Sequence, residues 1–291
     1  MRTTQKPTDL TGRLLAAVCL VATLTGCTPP EQNALEEGSR LLADGKIAEA
    51  LKQLEDAQKR IEGHPNLKTN LVVVGKLYNQ LGLSHQILSK NKTGDAKIGE
   101  LKEAKKYFDL TIKKGGQKSR IQAYQNRAWL YLENGDWEYA ADDFATLLTL
   151  TGKSEYDLWI EKGTAEFQAR RYDKARVSFE QRLESAAANN GLGSVAVAEG
   201  KTDKAAIYFK TAVEIDGANS VALLNLAITQ QQQGEHEAAL EAYGRYLLAA
   251  KAEPGLTQNV QHLVNSLEEY LKPEPEVEPE PEVEPEPEVE P

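Results

Sequence analysis

Cysteine is scarce in this chain: its 291 residues hold two, Cys19 and Cys27. With the leading segment around Cys19 removed, no second thiol remains for a disulfide. Long apolar runs are scarce as well. The longest, Leu14 to Leu24, covers about 11 residues, roughly half of the ~20 that a helix needs to cross a bilayer, which argues against a permanent span. Positive charge is in deficit. Beyond residue 26 the chain has 31 Lys and Arg against 43 Asp and Glu, nine of those glutamates lie in 273–291, and the remaining body is near −3. Nothing basic enough to bind nucleic acid is left. Catalytic patterns are missing too: there is no Gly-x-Ser-x-Gly, and His64, His85, His236 and His262 stand at no metal-ligand spacing and read as solvated. Gly191-Leu192-Gly193-Ser194-Val195-Ala196 fits a dinucleotide fingerprint, but Leu-Glu-Ser-Ala-Ala-Ala at 183–188 is no strand to place it on. Glu36-Glu37 and Asp142-Asp143 fit exposed helix faces. No catalytic residue, metal ligand or cofactor is expected, and the chain reads as a non-enzyme.

What is there begins with a basic start (Arg2, Lys6, Arg13), the apolar run, and the small residues Thr25 and Gly26 before Cys27. This is the pattern of an export signal over 1–26. Leu24-Thr25-Gly26-Cys27 resembles the bacterial lipobox. The resemblance implies cleavage before Cys27, diacylglycerol on its thiol and acylation of the new amino terminus, with palmitate-like chains holding the protein to a membrane. Thr28, where an aspartate would imply inner-membrane retention, points by the same analogy to the outer membrane facing the periplasm. Residues 27–30 form the lipidated end and a short linker. Residues 273–291 are three copies of Pro-Glu-Pro-Glu-Val-Glu closed by Pro291. Such a segment builds no core and is expected as a disordered, extended acidic tail.

Between Glu31 and Lys272 the chain repeats itself. An alanine followed four residues later by a large residue recurs as Ala50/Leu54, Ala104/Phe108, Ala140/Phe144, Ala175/Phe179, Ala205/Phe209 and Ala239/Tyr243. Five residues before most of these alanines stands Gly45, Gly135, Gly200 or Gly234. Twelve before stands Gly38, Ala128, Gly163, Gly193 or Ala227. Small residues on one helix let the next approach, and the large residue fills the remaining space. The pattern, clearest in Tyr124, Ala128, Tyr131, Gly135, Trp137 and in Trp159, Gly163, Tyr172, resembles the tetratricopeptide repeat.

That resemblance, over about four fifths of the chain, implies an all-α fold: a right-handed solenoid of about six helix pairs over 31–253, with starts near Glu31, Lys68, Ile121, Tyr156, Ala186 and Ser220. A capping helix over 254–272 follows the break at Pro254-Gly255, its apolar residues being Leu256, Val260, Leu263, Val264, Leu267 and Leu271. The second repeat carries about 20 extra residues. They are expected to extend its first helix from Val72 to about Leu88 and to add a polar loop, Lys90 to Ala96, as a projection. Trp159 is expected in the core.

In this family the first helices line a concave groove for a partner's peptide or helix. Carried over, the register points to Trp129 and Phe167, with Gln122, Gln125, Leu132, Thr164, Gln168, Lys76, Asn79 and Gln231 around them. Aromatics would anchor a peptide, and amides would bond its backbone. The basic cluster by which some relatives clamp a terminal carboxylate is missing. The resemblance thus implies a non-catalytic scaffold that binds envelope proteins and supports a pilus, secretion or other outer-membrane machine. The alternative is an adaptor docking and regulating cell-wall hydrolases or proteases. The sequence leaves the oligomeric state open.

Overall fold

The computed structural model describes residues 30–152, 158–249 and 254–272. The expected export signal, Cys27, the repeat start at Tyr156 and the acidic segment 273–291 lie outside the described residues. Thirteen α-helices and no strand are found among those described, in two compact units that meet in sequence at Leu183 and Glu184. None of these helices is long and apolar enough to cross a membrane.

The first unit holds four helix pairs: α1 (Pro30–Ala43) with α2 (Ile47–Gly63), α3 (Leu71–Ser89) with α4 (Gly94–Lys114), α5 (Gln117–Asn134) with α6 (Trp137–Leu150), and α7 (Leu158–Gln168) with α8 (Tyr172–Glu180). The second holds α9 (Ala186–Ala198) with α10 (Thr202–Ile215), α11 (Ser220–Gln232) with α12 (His236–Ala249), and α13 (Pro254–Tyr270). Pro254 and Gly255 open α13. Proline is at home in a helix's first turn, where its missing N–H has no partner to lose. Val260, Val264 and Leu267 of α13 are buried against the core of α11 and α12, whereas Leu256 and Leu263 stay exposed.

Close approach within each pair comes from the small residues. A Cβ on Gly38 would lie 2.7 Å from Leu54, on Gly163 2.7 Å from Phe179, and on Gly193 2.4 Å from Phe209. Gly193 is therefore a packing residue. The second repeat has the same joint, since a Cβ on Gly82 would come within 2.6 Å of Phe108.

Gly82 stands 22 residues before Ala104 rather than twelve, so only about half of the extra length sits in this hairpin. The remainder lies earlier, in the 17 residues of α2 and a 3-10 turn, Leu67–Thr69, ahead of α3. In the hairpin itself the extra residues are helical. Both α3 and α4 are lengthened, and the loop shrinks from the expected Lys90–Ala96 to Lys90–Thr93.

Five of the six pairs turn in one way. One or two residues beyond the first helix the backbone turns left-handed, and the next N–H reaches back five residues: Lys46 to Leu41, Asp136 to Tyr131, Arg171 to Glu166, Lys201 to Ala196 and Glu235 to Gln230. This Schellman closure satisfies the last carbonyls of the helix and favours glycine, which has no Cβ to clash. Gly45, Gly135, Gly200 and Gly234 fill the position at φ +72 to +82; in the fourth repeat Arg170 takes it at φ +59.

Candidate partner-binding face

Three pairs of neighbouring first helices, α1–α3, α3–α5 and α9–α11, are joined by side-chain hydrogen bonds. Ser39 on α1 and Gln80 on α3 exchange hydrogen bonds of 2.9 and 2.7 Å. Asn126 on α5 donates to Asn79 on α3 at 3.1 Å, and Gln86 on α3 donates to Glu133 on α5 at 3.3 Å. Both α3–α5 bonds join residues 47 apart, and a constant offset two turns along means that the helices run parallel. In the second unit Asn225 on α11 donates to Asn190 on α9 at 2.9 Å. An apolar contact would hold these helices equally close, but a directed amide pair also fixes their axial register.

Beside this seam lie the residues singled out for binding. Gln122, Gln125, Trp129 and Leu132 recur at helical spacing and share one face of α5. Gln125 is exposed, and the other three are half-buried. Trp129 meets Phe144 edge-on at 6.0 Å and packs against the core of its repeat, keeping only part of its surface accessible. On α7, Gln168 is exposed, Thr164 is half-buried with its hydroxyl on the Ile160 carbonyl, and half-buried Phe167 leans on Tyr172 at 5.6 Å. Each aromatic thus has its own partner.

Three expectations change. Asn79 is buried and accepts from Asn126, so it belongs to the seam and offers nothing to a ligand, while Lys76 one turn earlier keeps some exposure. Gln231, in the second unit, is half-buried and its Oε1 accepts from the Tyr243 hydroxyl of its own hairpin at 2.7 Å. Trp159 is half-buried rather than core, with the Lys162 ammonium 5.8 Å from its ring centre.

Charged groups thought to be solvated are partly enclosed. Asp142 is exposed, but its neighbour Asp143 is buried and accepts two bonds from Arg127, at 2.8 and 2.7 Å. Arg127 also reaches Asp109 on α4. Burial works against the Arg127 charge, yet the two carboxylates outweigh it and hold the guanidinium above its ordinary range. A comparable cluster joins Lys162, Glu166 and Ser178 at 2.6 to 2.8 Å. Of the histidines, only His262 is exposed. His64 accepts from the N–H groups of Asn66 and Leu67, His236 lies against Tyr270, and His85 stacks on Tyr107 and meets Glu100 at 2.6 Å.

Short antiparallel pairs joined through small-on-large contacts, with their first helices in parallel register, define a helical-repeat protein whose chemistry is recognition by surface. Two family models for the tetratricopeptide repeat match the chain, at residues 126–190 and 196–256. These two stretches are tetratricopeptide repeats. Among solved structures the chain is similar to a tetratricopeptide repeat protein from Parabacteroides merdae (TM-score 0.61, 19% identity, 82% of this chain and 87% of that one). It is also similar to PilF of Pseudomonas aeruginosa (TM-score 0.50, 16% identity, 67% and 85%). At such identities the likeness speaks for the fold alone. No curated protein sequence matches. The fold implies protein–protein interaction.

Proposed function

We propose that the chain is a non-catalytic scaffold of the cell envelope, held by lipid on Cys27 in the outer membrane and facing the periplasm. It receives a peptide or helix of an envelope protein and supports assembly of a pilus, secretion or similar machine. The observation that carries the binding face is α5, where exposed Gln125 stands one turn before Trp129, which packs on the core but keeps some accessible surface. An aromatic with open surface beside amides is the combination that anchors an extended chain and bonds its backbone. The support for the anchor is Leu24-Thr25-Gly26-Cys27 after a basic and apolar leader.

The test is crosslinked capture from native envelopes, with wild type beside Trp129→Ala and Phe167→Ala, under circular dichroism control of folding. Loss of one specific envelope partner in the variants is expected. An unchanged set of partners would overturn the α5–α7 face as the site, and the absence of any partner would overturn the scaffold itself.

A further inference from the structure

Parallel register gives the first unit two unlike edges. The Ser39–Gln80 pair sets α1 and α3 41 residues apart. Two apolar contacts agree: Ala34 and Leu35 pack with Val74, Leu77 and Tyr78, and further along Leu41 and Leu42 pack with Leu83. With the α3–α5 offset of 47, the start of α1 at Pro30 is level with Leu71 on α3 and with Lys118 on α5. A hydrogen bond from the Gly116 N–H to the Leu71 carbonyl, 2.9 Å, binds the α4–α5 turn to the start of α3.

This edge combines exposed aliphatic surface with an excess of cations over its carboxylates, which include Glu31 and Glu62. Leu71 is 57% exposed and Val72 71%. Around them Lys68, Lys113, Lys114, Lys118 and Arg120 are all exposed, and none is ion-paired with a described residue. Between Asp109 and Glu133 the sequence has no acidic residue. Glu62, at the end of α2, is engaged by the Tyr78 hydroxyl at 2.8 Å, and the Lys114 ammonium lies 5.4 Å from the same ring. The opposite edge is mixed in sign: its turns carry Asp44, Asp95, Asp136 and Glu138 beside Lys46, Lys90 and Lys92.

We infer that this edge is a docking surface for anionic phospholipid, with Leu71 and Val72 entering the headgroup layer and the five cations meeting its phosphates. The inference rests on the anchor proposed above. Thr28 and Pro29 alone separate Cys27 from Pro30, and three residue steps span at most about 10 Å. An acylated Cys27 would therefore hold this edge, and not the opposite one, against the membrane. A lipid chain and a basic patch are the paired signals by which peripheral proteins hold to membranes. In the first unit α1, α3 and α5 would then rise from the surface.

The experiment places an environment-sensitive fluorophore on Val72→Cys, and separately on Asn91→Cys at the opposite edge, in full chain carrying Cys19→Ser and Cys27→Ala. Vesicles of phosphatidylcholine alone are compared with vesicles containing phosphatidylglycerol. A blue shift at 72 with the anionic vesicles only, none at 91, and loss of the shift in high salt and in Lys113→Glu/Lys114→Glu/Lys118→Glu is expected. An equal shift in the charge-reversed chain, or none in either, overturns the inference. A blue shift without vesicles also overturns it, because a protein segment such as acidic 273–291 would then be the occupant. Mass spectrometry of native Cys27 separates the two readings. An unmodified Cys27 with docking at 72 removes the anchor and leaves the surface; an acylated Cys27 with 72 in water does the reverse.

Discussion

Asp143 on α6 accepts both of its short hydrogen bonds from Arg127 on α5, 16 residues earlier, inside the third repeat. Lys162 and Ser178, also 16 apart, occupy the same two positions in the fourth repeat, and the sixth fills them with buried Leu226 and Ala242. One slot between paired helices is thus polar in some repeats and apolar in others. Asp143→Asn should cost ~3 kcal/mol, because it strands a partly buried guanidinium whose other partner, Asp109, lies nearer solvent. Arg127→Leu with Asp143→Ala, copying the sixth repeat, should recover most of the loss. Urea midpoints at constant m-value would check both.

A methyl group at the tightest joint should be costly. Gly193→Ala places a Cβ 2.4 Å from the Phe209 ring, and overpacking of this kind destabilises by ~1–3 kcal/mol. Paired with Phe209→Leu, it should show a coupling energy of ~1 kcal/mol in a double-mutant cycle, since the two residues contend for one space.

Arg170 is the opposite case. Left-handed backbone costs an L-residue with a Cβ ~1–2 kcal/mol, partly offset by the greater chain entropy that glycine loses on folding. Arg170→Gly should therefore raise stability by ~0.5–1 kcal/mol, and Gly135→Ala should lower it by ~1 kcal/mol. Thermal unfolding of the two variants, side by side with wild type, decides the signs.

Acid should loosen the long hairpin. Burial pushes the Glu100 carboxyl up, but bonds from Lys92 and His85 prevail and hold it below its usual value of 4.5. A carboxyl depressed in the folded state contributes stability above its unfolded value and loses it as pH falls through the folded one. Protection of the amides in 85–100 against hydrogen exchange, taken relative to intrinsic rates at each pH, should fall below about pH 4.5 in wild type, while Glu100→Gln should be less protected at neutral pH and respond less to acid.

The pairing of helices was legible in the sequence because one alanine and one large residue mark every joint, whatever lies between. The position of Gly82 was not, since ten added residues carried it away from its alanine and no local signal marks an insertion made of good helix formers. Asp142 and Asp143 looked alike in the sequence, yet adjacent helical residues point about 100° apart, and only the presence of Arg127 on the facing helix decides which of them is enclosed. For the same reason His85 passed as solvated: its partners Glu100 and Tyr107 belong to another helix. The candidate face was legible in outline, as amides and aromatics at helical spacing on α5. What spacing could not reveal is that Asn79 and Gln231, with side chains of the same chemistry, already have partners within the fold.

The side-chain hydrogen bonds between first helices join residues 41, 47 and 35 apart, yet their lengths are much alike. Contour length between neighbouring rungs is therefore free to vary, because the surplus is stored in α2 and in the α3–α4 tip, off the seam. Asn91 to Thr93 is for that reason a permissive place for a tag or a fluorescent insert: material added there would ride on the tip without changing the distance between one first helix and the next.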